Sequence, residues 1–174
     1  MMIADDFATL KPKITEILNS GTPGIDFVVL DIDDTVLTWR SGALFARDEG
    51  LFVLQHANFN NLDVYYVTAR PESPRNREHT LDDLRSIGVT DPLQVIMRPP
   101  HIEDWFRISE FKTGARAQLE AETGGSCLMT VGDQWSDLMT IAPFERERFR
   151  AAIGNRYTVF ELINNTWGVK LKEE

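Results

Sequence analysis

Three carboxylates follow directly after a short apolar stretch near the start of the chain. The apolar residues 27–30 predict a buried strand, and Asp31, Asp33 and Asp34 come next. Because burying an unpaired carboxylate costs free energy, an acidic cluster at the end of a strand indicates a metal or catalytic site at the carboxyl edge of a sheet. A solvated acidic turn is the simpler alternative, and residues further along the chain decide between the two.

Other polar residues stand at comparable positions later in the chain. Thr68 ends a second apolar stretch, and Asp133 and Asp137 follow a later one. Lys112 lies early in the helix predicted before that later strand. Because loops that follow parallel strands share one edge of the sheet, these groups can converge with Asp31.

The convergence of these residue types favours one kind of chemistry. Neighbouring carboxylates repel one another unless a hard cation lies between them, and oxygen ligands suit Mg²⁺. A lysine and a threonine beside that cation can hold a phosphoryl group. The residues therefore predict a phosphoryl-transfer site with an aspartate nucleophile and Mg²⁺ as its cofactor.

The elements that would position these residues alternate between strands and helices. The predicted strands cover residues 27–30, 62–68, 93–97 and 128–131, with a fifth at 151–153. The predicted helices cover residues 5–19, 42–57, 76–87 and 109–123, followed by a short helix from Ser136 that Pro143 interrupts. Pro12 predicts a break or a late start in the first helix, residues 38–42 are predicted as a loop, and the tail from 157 onwards has no predicted element. The alternation predicts an α/β fold with a mostly parallel sheet and helices on both faces.

Length and composition set bounds on the whole chain. Its 174 residues predict a single domain over 1–174, with 1–22 as an N-terminal helical segment that could cover the core. The net charge of −9 argues against binding to extended nucleic acid or to acidic membranes. No apolar run approaches the roughly 18 residues of a membrane helix. The first residues lack the basic and apolar segments of a secretion signal, and Cys127, predicted as a core residue, is the single cysteine. We therefore predict a cytoplasmic protein.

Four motifs together resemble those of the haloacid dehalogenase (HAD) superfamily of phosphatases. Asp-Ile-Asp-Asp-Thr-Val-Leu at 31–37 resembles the first motif, the strand ending at Thr68 the second, Lys112 the third and Val-Gly-Asp-Gln-Trp-Ser-Asp at 131–137 the fourth. Thr-Ala-Arg-Pro-Glu after the second strand most resembles the branch of the class B and class III acid phosphatases. The resemblance implies a Rossmann-like three-layer αβα sandwich. The short spacing between the motifs implies that no large cap domain is present.

The resemblance also implies a role for each motif residue. Asp31 would attack phosphorus and form a phosphoaspartate, and Asp33 would act as general acid and then as general base. Thr68 would bind the phosphoryl oxygens, and Lys112 would neutralise developing charge and restrain Asp31. The implied metal ligands are Asp31, Asp33 through its carbonyl, Asp133 and Asp137.

Four further residues are candidates for substrate binding. Trp39 and Arg40 lie on the loop after the first motif, where simple packing of Trp39 is the alternative to substrate contact. Arg70 follows Thr68 and Arg98 ends the third strand, where solvated arginines are the alternative.

Several alternatives remain open for the activity. A receiver-like phosphoacceptor signalling domain uses similar residues, but it places its phosphoacceptor after a middle strand, so the order of the motifs favours a phosphatase. Among phosphatases, the substrate can be a small phosphomonoester, a nucleic-acid end carrying a 3′-phosphate, or a phosphoprotein. Because a polyanion needs several basic contacts, the net charge of −9 favours the small substrate, such as a nucleotide stacked on Trp39. The sequence leaves the oligomeric state open.

Overall fold

The structure is a computed structural model that describes residues 1–92 and 94–174. Leu93, predicted as the first residue of the third strand, lies outside the described residues. The strands are β1 (Met2–Ala4), β2 (Phe27–Leu30), β3 (Leu37–Arg40), β4 (Ala43–Ala46), β5 (Asp63–Pro71), β6 (Val95–Arg98), β7 (Cys127–Gly132), β8 (Tyr157–Glu161) and β9 (Trp167–Lys170). The α-helices are α1 (Lys11–Asn19), α2 (Asp48–Phe59), α3 (Pro74–Ser86), α4 (Trp105–Thr123) and α5 (Pro143–Ile153).

Within the described residues, seven strands form one sheet in the order β1-β8-β9-β7-β2-β5-β6. The strands from β9 to β6 run parallel to one another, and β8 runs antiparallel to both of its neighbours, β1 and β9. The predicted Rossmann-like α/β architecture with a mostly parallel sheet is therefore confirmed. The described residues include no large cap domain, and the β3–β4 hairpin is the short insertion that follows the first motif.

The central strand β2 is apolar throughout because both of its faces are covered. Val28 and Leu30 pack into a cluster with side chains of α1, α2 and α3, whereas Phe27 and Val29 pack on the other face with Ala115 and Leu119 of α4. Successive side chains of a strand point to opposite faces, so one short apolar run supplies both layers. The carboxyl end of β2 is consequently fixed from both sides.

The segment after the first motif differs from its prediction. The predicted loop at 38–42 and the predicted helix start at Gly42 are both wrong, because β3 and β4 form an antiparallel hairpin and α2 begins at Asp48. Ser41 and Gly42 both adopt positive φ, at 52° and 77°. Two consecutive left-handed residues form the tight turn that two-residue hairpins require, and this pair was the sequence signal for the hairpin.

The two ends of the chain also differ from their predictions. The predicted strand at 151–153 is wrong, because these residues end α5, and Pro143 begins that helix rather than interrupting one. The late start of the first helix is confirmed, with Pro12 in the first turn of α1. The tail forms β8 and β9, and β1 was not predicted. Helix α1 covers one face of the core, and a single domain over 1–174 stays a prediction.

No helix in the described part of the chain is long and apolar enough to cross a membrane.

Candidate active site

The carboxyl ends of β2 and β7 bring three aspartates together. Asp31 follows β2, and Asp133 and Asp137 follow β7, the parallel neighbour of β2. The backbone N–H of Asp31 donates to the Val131 carbonyl at 3.0 Å, which ties the two strand ends together. Each aspartate is buried and offers a carboxylate oxygen within 4.8 Å of those of the other two. We call Asp31, Asp133, Asp137 and the neighbouring Lys112 the carboxylate cluster.

Among the described residues, Lys112 of α4 is the cation whose side chain contacts the carboxylates of Asp31 and Asp137. It is buried, and its Nζ donates to Asp31 Oδ1 at 2.8 Å and to Asp137 Oδ1. Burial would lower the pKa of Lys112, but the charges of Asp137 and Asp31 more than offset it, so that the pKa is raised. Lys112 therefore stays charged, as the sequence-based role requires.

At contact distance the charges of the carboxylate cluster do not balance: among the described cations Lys112 contacts the carboxylates directly, while Lys170 and Arg116 act on them from further away. Burial and the charge of Asp137 raise the pKa of Asp31 to about 7. Burial and the charges of Asp137 and Asp31 raise the pKa of Asp133 to about 8. A pocket that resists holding all three negative charges would bind a hard divalent cation through its oxygen atoms. The donor set therefore fits the predicted Mg²⁺.

The loop that carries Asp137 is held by Gly132 and Gln134 of the fourth motif and by Arg116, which the sequence did not single out. A side chain on Gly132 would place its Cβ 2.2 Å from the Cβ of Asp137, so only glycine allows this approach. The N–H of Gln134 donates to Asp137 Oδ2 at 2.9 Å. The buried Arg116 donates to the carbonyls of Asp137 and Leu138 at 3.0 and 2.9 Å. Asp137 thus has its orientation set from three directions.

Asp33 is not part of the carboxylate cluster, and its carboxylate faces Arg70. Its side chain is 45% exposed, and both of its oxygens accept hydrogen bonds from Arg70, each at 2.8 Å. Arg70 is in turn held by Asp83 at 2.7 Å and by Thr80 at 3.2 Å, both on α3. The structure therefore places Arg70 against the candidate acid, which the sequence could not indicate.

Two buried threonines belong to the first two motifs. Thr68, the second-motif residue, lies in β5 beside β2, and Thr35, which was not predicted as a site residue, contacts Asp31. Thr68 is buried in β5, and its hydroxyl accepts a hydrogen bond from the backbone N–H of Arg70 at 3.1 Å. Thr35 is buried, and its hydroxyl donates to Asp31 Oδ2 at 3.2 Å. Thr35 belongs to the quoted first motif, and its spacing of four residues from Asp31 was the available signal.

The contacts described for the other three predicted substrate-binding residues do not include the aspartates of the carboxylate cluster. Trp39 on β3 is 60% exposed, and Arg40 beside it pairs with Glu174 at 3.4 Å. Arg98 donates to the carbonyls of Ala69, at 2.7 Å, and Ile102, so its guanidinium supports neighbouring backbone. Their roles in substrate binding stay predictions.

One family comparison matches most of the chain. A family model described as HAD superfamily, subfamily IIIB (Acid phosphatase) matches residues 38–169. The matched segment contains Thr68, Lys112, Asp133 and Asp137, and it begins after the first motif. No curated protein matches the chain at a significant level.

Proposed function

The chain belongs to subfamily IIIB of the HAD superfamily, a family of acid phosphatases, and from this premise we propose that it hydrolyses a small phosphomonoester through a phosphoaspartate on Asp31. Membership of the family makes the protein a phosphomonoester hydrolase. The observation that carries the finer proposal is the carboxylate cluster, in which Asp31 lies within 4.8 Å of two more carboxylates and contacts Lys112 at 2.8 Å.

The proposed cofactor is Mg²⁺, held by the side chains of Asp31, Asp133 and Asp137 together with the backbone carbonyl of Asp33. Bound there, it would neutralise the excess negative charge and polarise the phosphoryl oxygens. The raised pKa values of Asp31 and Asp133 support this proposal, because burial and the charges of the neighbouring aspartates disfavour the ionised forms and a bound cation would favour them.

In the first step, a carboxylate oxygen of Asp31 forms a bond to phosphorus, and the ester P–O bond breaks. Lys112 and Thr35 each donate to one oxygen of Asp31, which orients the carboxylate. The leaving oxygen takes a proton from Asp33. Thr68 would donate its hydroxyl to a phosphoryl oxygen, and Lys112 would stabilise the charge that develops there.

In the second step, Asp33 removes a proton from a water molecule, whose oxygen bonds to phosphorus. The bond between phosphorus and Asp31 breaks, which releases phosphate and restores the carboxylate. Two displacements through a covalent intermediate replace one harder displacement. Arg70, which donates to both oxygens of Asp33, would hold Asp33 in its ionised form, the form present between the first step and the second.

The proposed substrate is small and carries an aromatic group such as a nucleobase. Trp39 is exposed on the hairpin that follows the first motif, where a ring could stack on it. The net charge of −9 supports a small substrate over a nucleic-acid end. A nucleic-acid end contacted at several phosphates would lose affinity steeply with salt, whereas a mononucleotide would show a shallow dependence.

The test combines turnover with detection of the intermediate. The protein should release phosphate continuously from an aryl phosphate in Mg²⁺ and should stop in excess chelator. Acid-quenched enzyme should carry phosphate on the peptide that contains Asp31, detected by mass spectrometry. Full turnover in chelator would overturn the metal requirement. A single stoichiometric phosphorylation without continued release would instead support a receiver-like domain.

A further inference from the structure

Arg47, the residue before helix α2, is a charged side chain buried outside the carboxylate cluster. Only 1% of its surface is exposed. Burying a guanidinium is unfavourable unless its donors and its charge find partners. The reason for its burial therefore lies in the groups that it contacts.

The guanidinium of Arg47 joins three parts of the chain. It donates through Nη1 to the carbonyl of Asp34, through Nη2 to the carbonyl of Lys172 at 2.8 Å, and through Nε to Glu49 at 3.3 Å. Glu49 also accepts a hydrogen bond from the Tyr157 hydroxyl at 2.6 Å, and Glu174 lies 3.8 Å from Nε. We call Arg47, Glu49, Tyr157 and Glu174 the arginine cluster.

The most informative of these contacts is the one to Asp34, because Asp34 is the residue after the candidate acid. Asp34 adopts a φ of 57°, in the left-handed region that disfavours side chains. Its N–H donates to the Leu37 carbonyl at 2.7 Å, which closes a turn over residues 34–37. A turn of this kind persists when surrounding contacts hold it, and Arg47 supplies such a contact to its carbonyl.

The backbone at the start of α2 and just before it also contacts this turn. A side chain on Gly50 would place its Cβ 1.9 Å from the Thr35 carbonyl oxygen, so the helix backbone presses directly against the turn. The backbone N–H of Arg47 donates to the Val36 carbonyl at 2.8 Å. The turn that follows Asp33 is therefore fixed by the residues that begin α2.

The position of Asp33 depends on this turn. Its side chain is 45% exposed, and the hydrogen bonds described for its carboxylate come from Arg70. The direction in which Asp33 leaves the backbone is consequently set by the residues on either side of it. We propose that Arg47 is a positioning residue that aims Asp33 at the leaving oxygen by holding the Asp34 carbonyl, with the segment at Lys172 as its second anchor.

The proposal rests on the function proposed above, in which Asp33 protonates the leaving oxygen. General acid catalysis of this kind is typically worth about 10²–10⁴-fold, and it matters most for leaving groups that are poor without a proton. Loss of the positioning of Asp33 and loss of fold stability therefore predict different changes in rate. Loss of positioning slows formation of the phosphoaspartate from alkyl phosphates more than from aryl phosphates with acidic leaving groups, whereas loss of stability slows both equally.

The experiment replaces Arg47 by lysine and, separately, by glutamine. Neither replacement can donate to the Asp34 and Lys172 carbonyls in the forked geometry of a guanidinium. For each folded variant, the single-turnover rate of leaving-group release from an alkyl phosphate should fall at least about tenfold more than that from an activated aryl phosphate, while KM changes less than about threefold. Equal losses on both substrates, or no loss, would overturn the proposal.

A double-mutant cycle with Asp33→Asn separates the positioning role of Arg47 from the proposed acid role of Asp33, on which it rests. Asp33→Asn alone should slow the alkyl phosphate selectively, and its failure to do so would overturn the acid role of Asp33 and this inference with it. In the Asp33→Asn background, Arg47→Lys should change the alkyl rate less than about twofold, because Arg47 acts through Asp33. An undiminished effect of Arg47→Lys in that background would overturn the positioning role alone.

Arg77 provides the matched control. Like Arg47, it donates to a backbone carbonyl, that of Val95 at 3.0 Å, and pairs with a glutamate, Glu72, at 2.9 Å. Its contacts lie at the start of β6 and directly after β5, and not at the turn after Asp33. Arg77→Lys should leave the ratio of alkyl to aryl rates unchanged. A similar fall in that ratio would show that the effect is not specific to Arg47 and would count against the proposal.

Discussion

The two buried charged clusters on either side of the first motif differ in how their charges balance. In the carboxylate cluster three aspartates face Lys112, and the pKa values of Asp31 and Asp133 are raised. In the arginine cluster burial would raise the pKa of Glu49, but hydrogen bonds from Tyr157 and the charge of Arg47 lower it overall. In the arginine cluster Glu174 also pairs with Arg40 at 3.4 Å, so two carboxylates have two guanidinium partners. This balanced cluster holds backbone in place, whereas the carboxylate cluster has an excess of negative charge that favours binding of a cation.

The difference teaches how to separate a buried network that supports a site from the site itself. Both clusters are formed by side chains distant in sequence, and both reach the turn at 31–37. Burial alone therefore does not identify the catalytic group. The residual charge does, because carboxylates that cannot all be ionised without a cation indicate a bound ion or a reacting group.

The largest expected effect removes the nucleophile from the unbalanced cluster. Asp31→Asn should abolish turnover, because an amide oxygen cannot form the phosphoaspartate, while the protein stays folded. Phosphate release from an aryl phosphate measures this. The matched control is Asp63→Asn, at the amino end of β5 and thus at the opposite edge of the sheet, which should retain activity. Turnover by Asp31→Asn near the wild-type rate would refute the assignment.

The next effect concerns the metal. Both oxygens of Asp137 already accept hydrogen bonds, from Lys112 and from the N–H of Gln134. The carboxylate of Asp133 accepts a hydrogen bond from the Gln134 side chain at 3.2 Å, at one of its oxygens. We therefore expect Asp133→Ala to weaken Mg²⁺ binding by about 10–100-fold, and Asp137→Ala to weaken it less. Activity titrated against Mg²⁺ measures both. An unchanged Mg²⁺ requirement in Asp133→Ala would contradict the ligand assignment.

The third effect is a pH dependence of the metal-free protein. Because the folded-state pKa values of Asp31 and Asp133 are raised to about 7 and about 8, the folded protein binds more protons than the unfolded chain. In chelator, the stability that these groups contribute is fully present below the usual pKa of about 4 and is lost as pH rises to about 8. The melting temperature in chelator should fall across that window relative to Asp133→Asn. Parallel melting curves for the two proteins would contradict the charge imbalance.

The smallest effect removes one hydroxyl from the balanced cluster. Tyr157→Phe deletes the 2.6 Å hydrogen bond to Glu49 and should lower the free energy of unfolding by about 1–2 kcal/mol. Urea denaturation in Mg²⁺ measures this change, with Tyr65→Phe on α4's side of the sheet as the control. A loss in Tyr157→Phe no larger than in Tyr65→Phe would show that the arginine cluster contributes no stability through this bond.

The sequence by itself determined the order and the location of the reactive groups. The apolar run at 27–30 predicts a strand, and the positions of Asp31, Asp133 and Lys112 relative to the predicted elements predict that the three converge. This succeeded because the pattern of a buried strand is local and because parallel strands place their carboxyl ends at one edge. The same local reasoning failed for the hairpin at 37–46, where the turn at Ser41 and Gly42 outweighed the apolar residues that suggested a helix.

Only the tertiary structure decided which arginines support the site. Of Arg47, Arg70 and Arg116, the sequence singles out only Arg70, as a candidate for substrate binding. In the structure Arg70 holds the carboxylate of Asp33, Arg47 holds the turn after Asp33 and Arg116 holds the loop of Asp137. The contact of Arg47 with Lys172 spans 125 positions of the chain. A contact of that range has no local pattern, because it exists only once the sheet has brought the tail beside the first motif.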